Sequence, residues 1–175
     1  MLKLAALAFA ASTTLATPQI SETPLNATGP WWEKITVTMT GDGQPQSCRY
    51  ESSISGADVC AVEGADAKAA GKSDNSEQFT KITFERRFAP GAELPDVKKL
   101  HPGDTLLGGS IMALAIDAAG SVKGCKIVAT HGGVKPDYGC DEAKAEKFAA
   151  STNAPAEPKQ AHMMVLVYGH SEQVV

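Results

Sequence analysis

The residues able to do chemistry are few: four cysteines, four histidines and two adjacent tryptophans, Trp31 and Trp32. Cys48, Cys60, Cys125 and Cys140 are an even set, and no C-x-x-C pair occurs. Thiol exchange needs a low-pKa thiol beside its resolving partner. These spacings therefore read as two structural disulfides, for which three pairings are open. His162 and His170 flank the last apolar stretch eight residues apart, roughly 26 Å at strand rise, too far to share a metal. His101 precedes a Pro-Gly turn and His131 sits in a Gly-rich loop, so no metal site is expected. The chain has no G-x-S-x-G, no H-E-x-x-H and no paired-carboxylate motif for acid–base work. Gly108-Gly109 and Gly132-Gly133 lack the Lys and helix start of a phosphate cradle. The expectation is a protein that is not an enzyme and uses no cofactor. Trp31 and Trp32 remain as candidate partner-binding residues, able either to stack on a ligand or to pack across a sheet. Arg86-Arg87 and Lys98-Lys99 read as solvated basic pairs.

The elements that must position these groups follow from pattern. At 175 residues, 43% hydrophobic and 21% charged, the chain has the composition of a folded globular protein. Residues 1–16 read as a signal peptide: Lys3, an apolar run from Leu4 to Leu15, and small residues before a cut after Ala16. An uncleaved anchor is the alternative, although the run is shorter than the ~20 residues that span a bilayer, so no membrane span is expected after cleavage. The net charge of −4 becomes more negative when Lys3 is removed. That argues against nucleic acid, which rewards clustered cations. Export and an even cysteine count together imply an oxidising compartment, periplasmic or secreted.

Residues 17–30 read as a flexible Pro/Thr-rich arm. Asn26-Ala27-Thr28 within it fits a glycosylation sequon, given little weight. Ile35 to Thr40 alternates with the period of a half-buried strand, Gly41-Asp42-Gly43 turns, and Ser47 to Ser53 returns. Ala57 to Ala70 suits a weak helix. Phe79 to Phe88 is a third strand, with Ile82, Phe84 and Phe88 on one face and Glu85 and Arg87 toward water. From Met112 the order repeats: Met112, Leu114 and Ile116 on one face, a turn over Asp117 to Gly120, a return from Lys123 to Thr130, a helix over Asp141 to Ala150, and an apolar strand from Ala161 to Tyr168. Shifting by 77 lays Ile35, Val37 and Met39 on Met112, Leu114 and Ile116, and Cys48 on Cys125. Such self-similarity reads as a tandem repeat, and it favours local pairing, Cys48 with Cys60 and Cys125 with Cys140. The expected fold is α+β: two tandem ββαβ units over 31–90 and 110–175, each a small antiparallel sheet with one helix, stapled by a disulfide and joined by a Gly/Pro-rich linker over 91–109. Closing loops of this length stabilises by roughly 3 kcal/mol each. The segment HMMVLVY, apolar on both faces, belongs in a central or covered position.

Gly103-Asp104, Ile116-Asp117-Ala118-Ala119-Gly120, Cys125, Thr130-His131-Gly132 and Asp141-Glu142-Ala143 together resemble the C-terminal domain of the TonB energy-transducer family. The match covers the second unit, and the first only through the repeat. The membrane helix, the long Pro-rich spacer and the aromatic-x-Pro that usually ends the helix are missing from this chain. The resemblance implies a ββαβ fold, an envelope location and action by protein contact, an extended segment adding to a sheet edge. The implied partner is an envelope protein such as an outer-membrane receptor or transport component, with this chain as an accessory of TonB-dependent transport. A glycan- or small-molecule-binding protein using Trp31 and Trp32 is the alternative. A non-reducing peptide map is expected to return the two local pairs; a peptide joining Cys48 to Cys125 or Cys140 would remove both the pairing and much of the repeat.

Overall fold

The computed structural model describes residues 23–54, 56–59, 79–97, 100–152 and 157–172. The expected signal peptide, Cys60 and Lys98-Lys99 lie outside them. Among these residues are seven strands: β1 (Trp31–Met39), β2 (Pro45–Ser52), β3 (Gly56–Val59), β4 (Lys81–Pro90), β5 (Asp104–Ile116), β6 (Val122–Gly132) and β7 (Lys159–His170). One helix, α1 (Cys140–Ala145), lies between β6 and β7. The strands form one sheet in the order β3-β2-β1-β4-β7-β5-β6, with every neighbouring pair antiparallel.

This corrects the expected fold. The protein is mainly β, a single continuous sheet, and not an α+β pair of ββαβ units. β4 pairs with β7 from Lys81↔His170 to Pro90↔Ala161, so the two halves share their backbone hydrogen bonds and their core. The repeated order survives only as a mirrored arrangement about this seam, β2-β1-β4 on one side and β6-β5-β7 on the other. Among the described residues helix is scarce, for a local reason. Alanine-rich stretches carry little apolar area with which to hold a helix against a sheet. Ala57 to Val59 instead belong to β3, paired with β2, while the rest of that expected helix lies outside the described residues.

The second helix is also shorter than expected. It ends at Ala145, and Glu146 is already extended. Leu25 N–H donates to Lys147 O at 2.8 Å, Ala149 N–H to Leu25 O at 2.8 Å, and Phe148 N–H to Gly120 O at 2.9 Å. These bonds keep residues 147–149 extended and send Phe148 into the core, 5.2 Å from the ring of Phe88. Residues 23–30, read as the second half of the arm, lie against the same region, with Leu25 buried.

Both faces of the sheet are covered near its centre. On one, Trp31, Phe88, Met112, Leu114 and Met163 pack beneath Leu25, Ala143 and Phe148, with Val37, Ile82 and Val167 continuing the layer. On the other, Ile111, Met164 and Leu166 meet Val97. Val97 belongs to the connection from β4 to β5. Those two strands both run antiparallel to β7 and hence parallel to each other, so the chain must cross a face between them, which takes about a dozen residues. Val97, in the connection between Pro90 and Asp104, lies on that face. β7 is thereby enclosed, as its apolar sequence requires.

Glu85, expected to face water, is buried on the Leu166 face. Arg87 donates to both of its oxygens, at 2.6 and 2.9 Å, and the Tyr168 hydroxyl feels its charge. Burial and the charges of Glu85 and Asp104 push that hydroxyl above its ordinary pKa.

The turn between β5 and β6 is built by Asp117 and Gly120. Ser121 N–H donates to Asp117 Oδ1 at 2.8 Å, which holds that carboxyl below its usual range. Gly120 has φ +82°, and a Cβ there would fall 1.9 Å from Phe148 O. Leu166 is fully buried at the middle of β7. Leu166→Ala is expected to cost about 3 kcal/mol in urea unfolding with an unchanged m-value.

Candidate functional site

The structure separates the two tryptophans. Trp31 and Trp32 are successive residues of a strand, so their side chains take opposite faces. Trp31 is only 3% exposed. Its indole N–H donates to Asn26 O at 2.9 Å, and its ring stacks on Phe88 with centroids 5.5 Å apart. It is a core residue. Trp32 is 37% exposed, with Lys34 Nζ 5.3 Å from its ring centroid.

Arg86 is also not a solvated base. It lies on the Trp31 face of β4, its guanidinium 5.2 Å from the Trp31 ring and 5.1 Å from that of Tyr138. Nη2 donates to Glu33 Oε2 at 2.8 Å and Nη1 to Glu146 Oε1, and the Tyr138 hydroxyl donates to the same Glu146 oxygen at 3.0 Å. Burial opposes the guanidinium charge, but Glu33, then Tyr138 and Glu146, outweigh it and raise the Arg86 pKa. Burial, with Glu146 adding and Arg86 opposing, raises the Tyr138 hydroxyl. The cluster ties the segment from Tyr138 to Glu146 down to β1 and β4. Sequence pattern missed it because the carboxylates lie 53 and 60 residues from Arg86.

The disulfide does the corresponding work at the sheet margin. Cys125 on β6 is bonded to Cys140 at the start of α1, with Cα atoms 5.5 Å apart and a sequence separation of 15. Cys48 is also disulfide-bonded, and its expected partner, Cys60, lies outside the described residues. A disulfide is consistent with an extracytoplasmic location.

These ties frame an open edge. β6 is the outermost strand on its side, and among the described residues only Ser121↔Lys147, just before its start, forms a bridge beyond it. Eleven residues long, β6 presents unpaired backbone groups that can template another strand. Its first half carries Lys123 and Lys126 and one register shift, opposite Ala115/Ile116, devices that discourage edge pairing. The second half is different. A second shift leaves Val128 without a partner in β5, and Ile127 and Val128 are 45% and 40% exposed. Beside this half lies a hollow of about 250 Å³ lined by Ser110, Ile127, Thr130, Val134, Tyr138 and Gly139, among others. Ser110 and Thr130 are cross-strand partners. Edge, hollow and tethered wall together form the candidate site for an extended chain.

The histidines do not converge. His170 Nδ1 lies 2.8 Å from Asp104 Oδ1, and His101 N–H donates to Asp104 Oδ2 at 3.3 Å. His162 is buried in β7, its Nδ1 without a hydrogen-bond partner, as is His131 Nε2. Among the described residues no group of three His, Cys, Asp or Glu is placed to hold a metal ion, and no helix is long and apolar enough to cross a membrane.

No protein-family model, curated protein or solved structure matches the chain.

Removing the Arg86 charge strands Glu33 and Glu146, both less than a fifth exposed. Arg86→Met is expected to cost about 2–3 kcal/mol, below the ~3–5 kcal/mol of a fully buried pair. Urea denaturation curves of both proteins at neutral pH test it.

Proposed function

We propose that the protein is a non-enzymatic periplasmic protein-binding module that takes an extended segment of another envelope protein along β6, as an accessory of TonB-dependent transport. The observation that carries this reading is the unpaired second half of β6, with Ile127 and Val128 exposed beside a hollow. An extended segment laid there completes main-chain hydrogen bonds along the edge, and every second side chain faces the hollow. Specificity then comes from what the hollow admits. The resemblance of the 103–143 stretch to the TonB C-terminal domain supports the same mode of action, and the signal-like leader and the disulfide support the compartment. The rival reading, a glycan or small molecule bound through Trp31 and Trp32, is left with Trp32 alone, because Trp31 is a buried core residue on the opposite face.

The test is capture by the tagged mature chain, residues 17–175, from an envelope extract, run in parallel with an Ile127→Arg/Val128→Arg variant. Both positions are exposed, so the substitutions should change stability by less than about 0.5 kcal/mol. The expected result is an outer-membrane receptor or inner-membrane motor component enriched by the parent and lost from the variant. Equal recovery by both proteins, or background alone from the parent, would sink the proposal.

A further inference from the structure

The face of the sheet opposite α1 carries, at the β2-β1-β4 end, an arrangement that folding does not call for. Register places Trp32 beside Arg87, Lys34 between Glu51 and Glu85, and Thr36 between Arg49 and Thr83. With strands about 4.8 Å apart and same-face residues about 6.8 Å apart along each strand, the array spans roughly 10 by 14 Å. Trp32 is its one large apolar group, 37% exposed, and its indole N–H has no acceptor among the described residues.

The polar groups around the ring are already held in place. Lys34 Nζ is 3.2 Å from Glu51 Oε2, Arg87 grips both oxygens of Glu85, and the hydroxyls of Thr36 and Thr83 lie 3.2 Å apart. An exposed aromatic ringed by ordered donors and acceptors of both signs is a poor seat for an apolar helix or a lipid. It suits a sugar: the C–H face of a pyranose covers the indole, and its hydroxyls meet carboxylate, guanidinium and ammonium groups in the plane around it. Lys34, Arg49 and Arg87 outnumber Glu51 and Glu85 on this face, in a chain whose net charge is −4. Arg49, with its side chain 67% exposed, is 3.6 Å from Glu51 and reaches into solvent.

We infer that this face binds a carboxylate-bearing glycan, Trp32 stacking under one sugar ring while Arg49 and Lys34 meet its carboxylate. The site is separate from β6 and stands or falls independently of the protein-binding proposal.

The test titrates the intrinsic fluorescence of the mature chain with oligogalacturonate and, separately, with a neutral malto-oligosaccharide of equal length. Trp31 is buried and serves as the silent internal reference. The expected result is a saturable change in emission, about tenfold tighter for the uronate and weakened by high salt, as partly exposed charges require. Trp32→Ala abolishes it and Arg49→Gln weakens it, with unchanged circular dichroism, while Ile127→Arg/Val128→Arg leaves it intact. No saturable change with either sugar, or a change that persists in Trp32→Ala, overturns the site. Equal affinity for the neutral sugar overturns its preference for carboxylate.

Discussion

The pairing of β4 with β7 is the constraint from which the rest of the structure follows. β7 is apolar on both faces, and such a strand must be flanked by strands and covered above and below before it is stable in water. β4 supplies one flank and β5 the other. Because β4 and β5 then run the same way, the connection between them has to cross a face, and in crossing it lays Val97 on Leu166 and Met164. The opposite face is closed by chain from elsewhere, residues 25–27 and 138–148. A single strand with no polar face thus dictates the sheet order and both of its covers.

The covers need fastening, since neither is a long element with its own hydrogen-bond ladder. The 138–148 segment is held at three places of different chemistry. Cys125–Cys140 fixes the start of α1 to β6, Arg86 binds Glu146 with Tyr138 leaning on both, and the backbone of 147–149 pairs with Leu25 and Gly120. The covalent tie shortens the unfolded chain's reach, while the ion cluster tolerates partial burial because its charges are matched and hydrogen-bonded. The fastening has a consequence at the margin. With its neighbouring wall immobilised, the second half of β6 faces a hollow of set shape, and a preformed surface binds with less ordering cost than a mobile one.

The two ends of the sheet are chemically unlike. The β6 end has bare backbone and aliphatic side chains and suits an extended peptide. The β2-β1-β4 end has an indole among ion pairs and suits a polyhydroxylated, charged ligand. A protein with both could hold a partner at one margin while resting on a glycan matrix across the other face, and each surface is open to test without the other.

What the sequence by itself determined were properties that live in a short window. The inward side of Val37 and Met39 in β1, the Asp117-to-Gly120 turn, the Cys125–Cys140 tie and the enclosed position of the HMMVLVY segment were legible, since each depends on residues within about 15 of one another or on the apolar count of one strand; Ile35, expected on the same buried face, is 40% exposed. The closed pairing of β4 with β7 was not, and with it went the expected pair of α+β units: strand alternation states which side is buried, never which strand lies alongside. For the same reason Arg86 read as solvated and Glu85 as exposed, because their partners arrive from β1, β7 and the segment after α1. Trp31 and Trp32 are adjacent in sequence and could be singled out, but only the register of β1 decided that one is core and the other surface. The open edge of β6 was likewise a tertiary outcome, since an edge is defined by the absence of a neighbour, and no local pattern encodes an absence.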